Sequence, residues 1–142
     1  MSAEAAEQFR IAKAYEAATS KRRQQGDGVV VTPPEIVDFI NRAVTDILQD
    51  KWGVSVDDVR VFVEDPFAGT GIFGARLLQT VGDDQVQGVV DRLKCIEIDV
   101  DAADIAEHNI RRIAYARGAF PPLDRRIVQC ADTFSVPPGG ER

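Results

Sequence analysis

Val61-Phe-Val-Glu-Asp-Pro-Phe-Ala-Gly-Thr-Gly-Ile-Phe73 is the stretch whose reading decides the fold. A short apolar run closes on Glu64 and Asp65. Pro66, Phe67, Gly69 and Gly71 follow, and then the run from Ile72 to Val81 places apolar residues at helical spacing. The pattern predicts a strand, a tight glycine turn and a helix. Gly69 and Gly71 lack a Cβ, so the backbone can take positive φ there and approach a ligand closely. The helix that follows opens with unpaired N–H groups at the same place. An acid at the end of the strand can receive a cation or a hydroxyl.

Upstream, residues 3–25 are rich in Ala, Glu, Gln, Lys and Arg, strong helix formers. Ala5, Phe9 and Ala12 make one narrow apolar seam, and Ile11, Tyr15 and Ala18 make another. Gly26 and Gly28 end this helix, which reads as an accessory element without chemistry. Val29-Val30-Val31 is extended. Thr32-Pro33-Pro34-Glu35 then has the form of a capping box, with Thr32 as cap, proline at the first helical position and Glu35 three residues on. From there to about residue 51, Ile36, Val37, Ile40, Ala43, Val44, Ile47 and Leu48 form a wide apolar stripe. Trp52-Gly53 closes the helix.

Downstream, residues 85–92 fit either a short helix or an inserted loop. Leu93-Lys-Cys-Ile-Glu-Ile-Asp99 reads as a second strand with Glu97 at its C-terminal end. Asp101 can cap the next helix, which buries Ala102, Ile105, Ala106, Ile110, Ile113 and Ala114 and ends at Gly118. Arg126–Cys130 is a third strand, followed by Ala131-Asp132-Thr133-Phe134. The order is two helices, then βαβαβ. That is the front half of a doubly wound α/β sheet, whose ligands sit at the strand C-termini. The boundaries read as a helical segment at 1–27, an α/β domain at 28–136 and a loop-like tail at 137–142.

Composition narrows the classes. A chain of 142 residues is one domain by length, and 44% hydrophobic with 28% charged residues is an ordinary globular balance. No apolar run is long enough to span a membrane, and the polar N-terminus does not resemble a signal peptide. Cys95 and Cys130 fall in apolar strand-like runs and read as two buried free thiols, pointing to the cytoplasm. One histidine, His108, and no CxxC argue against a metal site, and His108 reads as a surface helix residue. The net charge of −6 argues against strong nucleic-acid binding by this segment alone. Lys21-Arg22-Arg23, Arg111-Arg112 and Arg125-Arg126 read as solvated faces and helix ends.

Two small molecules compete for the glycine turn. Gly69-Thr-Gly-Ile-Phe-Gly74 matches the G-x-G-x-x-G dinucleotide fingerprint. Asp65 just ahead of it would repel a pyrophosphate, while Glu97 comes later than the ribose-binding acid expected about 20 residues on, a delay that an insertion at 83–92 accommodates. A cationic ligand without phosphate fits better. S-adenosylmethionine carries a sulfonium and an ammonium. Asp65 can attract its amino end, Glu97 can accept the two ribose hydroxyls, and Asp132 can accept the adenine amino group. Three acids at successive strand ends thus match three polar parts of one molecule.

Asp65-Pro-Phe-Ala-Gly-Thr-Gly-Ile-Phe73 resembles the cofactor motif of N6-adenine DNA methyltransferases of restriction-modification systems. That family carries a Thr-Pro element upstream, and Val31-Thr-Pro-Pro-Glu-Ile-Val-Asp-Phe-Ile40 is similar to it. Ile96-Glu-Ile-Asp99 and Ala131-Asp-Thr-Phe134 resemble the family's second and third motifs. The order, Thr-Pro first, is that of the gamma class, and the likeness covers about residues 28–135. The resemblance implies a class I, Rossmann-like fold and roles for ten residues. Thr32 would bond the cofactor carboxylate and Pro33 would shape the loop. Asp65, Phe67, Gly69 and Gly71 would line the methionine side. Glu97 would hold the ribose and Ile98 would pack on the adenine. Asp132 and Thr133 would reach the adenine edge.

The family's catalytic motif, Asn/Asp/Ser-Pro-Pro-Tyr/Phe, does not occur in the chain. Pro33-Pro34 and Pro121-Pro122 lack the aromatic partner, and Pro137-Pro138 is followed by two glycines. The expectation is therefore a cofactor-binding part of a longer methyltransferase, inactive by itself. It would meet DNA through parts not present here and be prone to self-association through an unpaired sheet edge. A non-catalytic nucleotide-binding or oligomerisation module, and a fragment of an NAD-dependent oxidoreductase, remain the alternatives.

Overall fold

The computed structural model describes residues 1–19 and 31–137. Gly26, Gly28, the Lys21-Arg22-Arg23 cluster, Val29, Val30 and the tail beyond Pro137 lie outside the described residues. The elements run α1 (Ala3–Ala18), α2 (Pro34–Ile47), β1 (Val63–Asp65), α3 (Ile72–Thr80), α4 (Val86–Asp91), β2 (Leu93–Glu97), α5 (Val100–Ala116) and β3 (Val128–Cys130). Residues 85–92, open in sequence, thus contain a short helix. The three strands form a parallel sheet in the order β1-β2-β3. Val63 is in register with Leu93, and Cys95 with Val128. This is an α/β fold, as the alternation of patterns predicted.

Helices α3 and α5 pack on each other, and α5 packs against β2 and β3. Leu78, Leu93, Cys95, Ala106, Ile110 and Val128 are fully shielded members of the core they enclose. Two glycines make the close helix approach possible. A Cβ on Gly71 would come within 3.0 Å of the Ala106 Cβ, and one on Gly74 within 3.2 Å of Ile110 Cδ1. Arg117 at the end of α5 donates to the carbonyls of Leu78 (2.9 Å) and Val81 (2.7 Å), which satisfies the C-terminus of α3.

Several expectations change on folding. The two seams on α1 are a single seam of Ala5, Gln8, Ala12 and Tyr15. Buried Gln8 is tolerated because its amide pairs with Asn109 of α5, at 2.9 and 2.6 Å. The capping box at Thr32 does not form. Pro33, at φ −59° and ψ 142°, is the N-cap, no side chain caps the helix, and Pro34 takes the first turn. The cap of α5 is Asp99, not Asp101. Asp99 lies in extended backbone two residues after the end of β2, and its side chain accepts from Ala102 N. Cys95 is buried, but Cys130 is exposed, because it ends β3 at the edge of the described sheet.

The apolar stripe of α2 is helical as predicted, but only Val37 of it is buried, and Ile36, Ile40, Val44 and Ile47 are exposed. The reason is topological. Helix α2 packs on α3 and α1, and among the described residues no strand lies beyond β1 to cover its other side. Arg76, missed in sequence, is 5% exposed and ties α2 to α3 through a bidentate pair with Asp38, both contacts at 2.9 Å. Helix α2 ends in a π-helical turn at Leu48–Trp52, closed by Gly53 at φ 63°. Among the described residues no helix is long and apolar enough to cross a membrane.

Candidate functional site

The C-terminal ends of the three parallel strands converge on one cavity of about 470 Å³. Thr32, Phe67, Gly69, Glu97, Ile98, Asp132 and Thr133 line it, so seven of the ten sequence-derived site residues come together there. Pro33, Asp65 and Gly71 are not among its lining residues.

The wall beneath β1 is the glycine turn. Gly69 has φ 57°, and a Cβ built on it would meet nothing within 4 Å. The space on its Cβ side is therefore open among the described residues, whereas Gly71, at φ 85°, faces α5. The turn is held by backbone hydrogen bonds to β2 and within itself: Ala68 N donates to Ile96 O (2.9 Å) and Gly71 N to Ala68 O (2.8 Å). Asp65 ends β1 immediately before this turn. Its Oδ1 accepts from Phe67 N (3.2 Å), and its Oδ2 is buried with no hydrogen-bond partner among the described residues. Burial pushes the Asp65 carboxyl above its ordinary range. The Phe67 N–H pulls it back and the Glu97 charge adds to the rise.

Glu97 ends β2 and bridges two loops. Its Oε2 accepts from Gly69 N (3.0 Å) and its Oε1 from Asp99 N (3.3 Å). The carboxylate thereby fixes the glycine turn and occupies an N–H that a bound anion would otherwise use. At the end of β3, Asp132 caps a short 3-10 turn and accepts from Phe134 N (3.0 Å). Thr133 Oγ1 donates to Pro66 O, joining this turn to the one after β1. Phe67 and Phe134 stand near each other at the cavity, with ring centroids 5.9 Å apart and planes at 54°. Both rings stay open to solvent, at 65% and 87% exposure.

Sequence reasoning missed Ala12, Tyr15, Thr70 and Phe134, all of which line the cavity. Phe134 had a signal, since it closes the Ala131-Asp-Thr-Phe134 motif. Tyr15 had none, because its reach depends on how α1 docks. His108, expected on a surface, is exposed on α5. Of the basic pairs, Arg111 and Arg126 engage acids on α5: Arg111 Nε lies 3.3 Å from Glu107 Oε1, and Arg126 Nη2 3.0 Å from Asp104.

No protein-family model matches the chain, and no curated protein matches it. Solved structures do. The chain is similar to a part of DrdV in a cryoEM complex with DNA, at 25% identity and a TM-score of 0.76, over 89% of this chain and 13% of that one. It is similar to LlaGI, a Type ISP restriction-modification enzyme seen with a DNA substrate mimic, at 28% identity and a TM-score of 0.64, over 74% of this chain and 10% of that one. A third likeness is to LlaBIII, an ATP-dependent Type ISP restriction-modification enzyme bound to DNA, at 29% identity and a TM-score of 0.62, over 74% of this chain and 8% of the other. The chain thus spans a small share of three DNA-bound proteins, two of them restriction-modification enzymes.

Proposed function

We propose that residues 28–136 are the S-adenosylmethionine-binding portion of a DNA adenine-N6 methyltransferase, with a class I, Rossmann-like fold, from a restriction-modification or phage-defence system. One observation carries the reading: Thr32, Gly69, Glu97, Ile98 and Asp132, drawn from four separate stretches, line one cavity at the ends of parallel strands. The likeness to DNA-bound restriction-modification enzymes supports the setting.

The residues fit the cofactor. A cavity of about 470 Å³ is of small-molecule size. The Gly69 surface can accept a close-packed ligand. Asp65 does not line the cavity, but its buried charge just ahead of the glycine turn favours a cationic ligand group bound at that turn, since a positive charge would offset its desolvation. Glu97 suits a vicinal diol, and Ile98 and Phe134 offer apolar surface to a base. When bound, the cofactor supplies an activated methyl group. The chain's own residues would bind and orient it; the chain contains no Asn/Asp/Ser-Pro-Pro-Tyr/Phe sequence to hold the acceptor adenine, so no transfer is expected from it alone. Contact with DNA through other parts of a longer protein, and self-association through a sheet edge, belong to the same proposal.

The NAD alternative is disfavoured by charge. A pyrophosphate at this turn would face the Glu97 carboxylate with the Asp65 charge close behind the turn, and Glu97 already holds Gly69 N–H. Calorimetric titration of the purified chain with S-adenosylmethionine, S-adenosylhomocysteine and NAD tests the proposal. Binding of the two sulfur ligands but not NAD is expected; binding of NAD alone sinks it.

A further inference from the structure

We propose that α1 is a wall of this ligand site and that Tyr15 is a positioning residue for Glu97. The inference rests on reading the cavity as a site for an adenosine-containing ligand. Ala12 and Tyr15 line the cavity from α1, although α1 belongs to the segment that reads in sequence as accessory. Gln8, Ala12 and Tyr15 fall on one face at spacings of four and three residues, so a single docking pose presents all three.

That pose is fixed by polar contacts at both ends of the seam. At one end the buried Gln8 and Asn109 side chains exchange two hydrogen bonds, at 2.9 and 2.6 Å, and Asn109 Nδ2 also reaches the carbonyl of Thr70 in the glycine turn at 3.5 Å. At the other end the Tyr15 hydroxyl donates to Asp99 Oδ2. Buried amides and carboxylates are costly unless paired, so any slip or rotation of α1 would strand four polar groups, and the helix is held to one register.

Asp99 transmits this to the site. The same Oδ2 accepts from Ala102 N at 3.0 Å, which fixes the Asp99 side chain at the start of α5. Its backbone N–H donates to Glu97 Oε1 (3.3 Å), while Glu97 Oε2 takes Gly69 N–H (3.0 Å). The line from Tyr15 through Asp99 to Glu97 sets the plane of the carboxylate that faces the cavity. A carboxylate accepting two adjacent hydroxyls must be held in one orientation, and pre-organisation of this kind shows in affinity. The ligand class that reports it is an adenosine carrying an intact ribose diol.

Titration of wild type and Tyr15→Phe with S-adenosylhomocysteine, and with its analogue lacking both ribose hydroxyls, tests this. The phenylalanine keeps the ring on the wall and removes only the hydroxyl. Affinity for S-adenosylhomocysteine is expected to fall by roughly three- to tenfold, with less than about twofold change for the diol-free analogue. Equal losses for both ligands would reduce Tyr15 to packing, and no loss for either would cut the line to Glu97; either result overturns the inference while leaving the cofactor reading intact. Failure of wild type to bind S-adenosylhomocysteine removes both. Amide hydrogen exchange supplies a second measurement: saturating ligand should slow exchange in α1 of wild type, and an unchanged rate argues against its being a wall.

Discussion

Asp65→Asn is expected to stabilise the fold and weaken the site at once. Asp65 Oδ2 is buried without a hydrogen-bond partner among the described residues, while Oδ1 accepts from Phe67 N at 3.2 Å. Asparagine is nearly isosteric. It keeps an acceptor for Phe67 and removes the charge. The amide nitrogen that replaces Oδ2 is also without a partner there, so only the extra cost of burying the charge is recovered, about 1–2 kcal/mol for a residue that is partly shielded. With a urea slope of about 2 kcal/mol/M, the unfolding midpoint of the variant should lie roughly 0.5–1 M higher near pH 7.

The pH dependence gives the sharper test. Burial raises the Asp65 carboxyl in the folded chain, aided by Glu97 and opposed by the Phe67 N–H. Between the ordinary carboxylate range and that raised value, the folded state holds a proton that the unfolded chain has lost. Stability therefore falls as pH rises across this window, and is flat with respect to this group above and below it. Urea unfolding of wild type and variant, measured from about pH 4 to about pH 8, should show a gap that opens as pH rises. A variant less stable at every pH, or two parallel profiles, refutes the argument. The same substitution should weaken S-adenosylmethionine binding by about 1–3 kcal/mol if the charge serves the ligand's cationic end.

The two turn glycines should separate fold from site. Gly71→Ala forces a Cβ to 3.0 Å from Ala106 at φ 85° and should cost about 2–4 kcal/mol by denaturant unfolding. Gly69→Ala meets no neighbour, so it should cost only about 1–2 kcal/mol for its positive φ, its larger effect falling on ligand titration. Arg76→Met breaks the bidentate pair with Asp38, whose side chain is 33% exposed, and should cost about 1–2 kcal/mol in thermal or urea melts, less than a wholly buried pair. A thiol reagent applied to the native protein should label Cys130 quickly and Cys95 only on unfolding, since burial pushes the Cys95 thiol far up; peptide mass spectrometry reads the difference.

Much of the architecture was legible because it is written in local patterns. The βαβαβ order follows from apolar runs of strand length alternating with helical stripes, and Gly53 and Gly118 stop helices through positive φ. The acids at the ends of β1, β2 and β3 were legible for the same reason. Capping was not. Thr32 and Asp101 both satisfy local rules, yet Pro33 and Asp99 take those positions, because backbone geometry at the chain's entry to each helix decides which residue caps. Nothing in a one-dimensional pattern marks Gln8, Arg76 and Asn109 as buried; their partners lie far away in sequence, and only folding brings them together.

The stretch from Val61 to Phe73 illustrates the division. By itself it determined a strand, a glycine turn and a helix, since proline, glycine and hydrophobic spacing act over a few residues. Its two glycines looked equivalent there. Tertiary structure assigned them different work: Gly71 is pressed against α5, while Gly69 has open space and donates its N–H to Glu97. It also left Asp65 off the cavity wall, and brought Tyr15 of α1 onto that wall. Which neighbour fills the space beside a residue is set by long-range packing, and no local pattern encodes it.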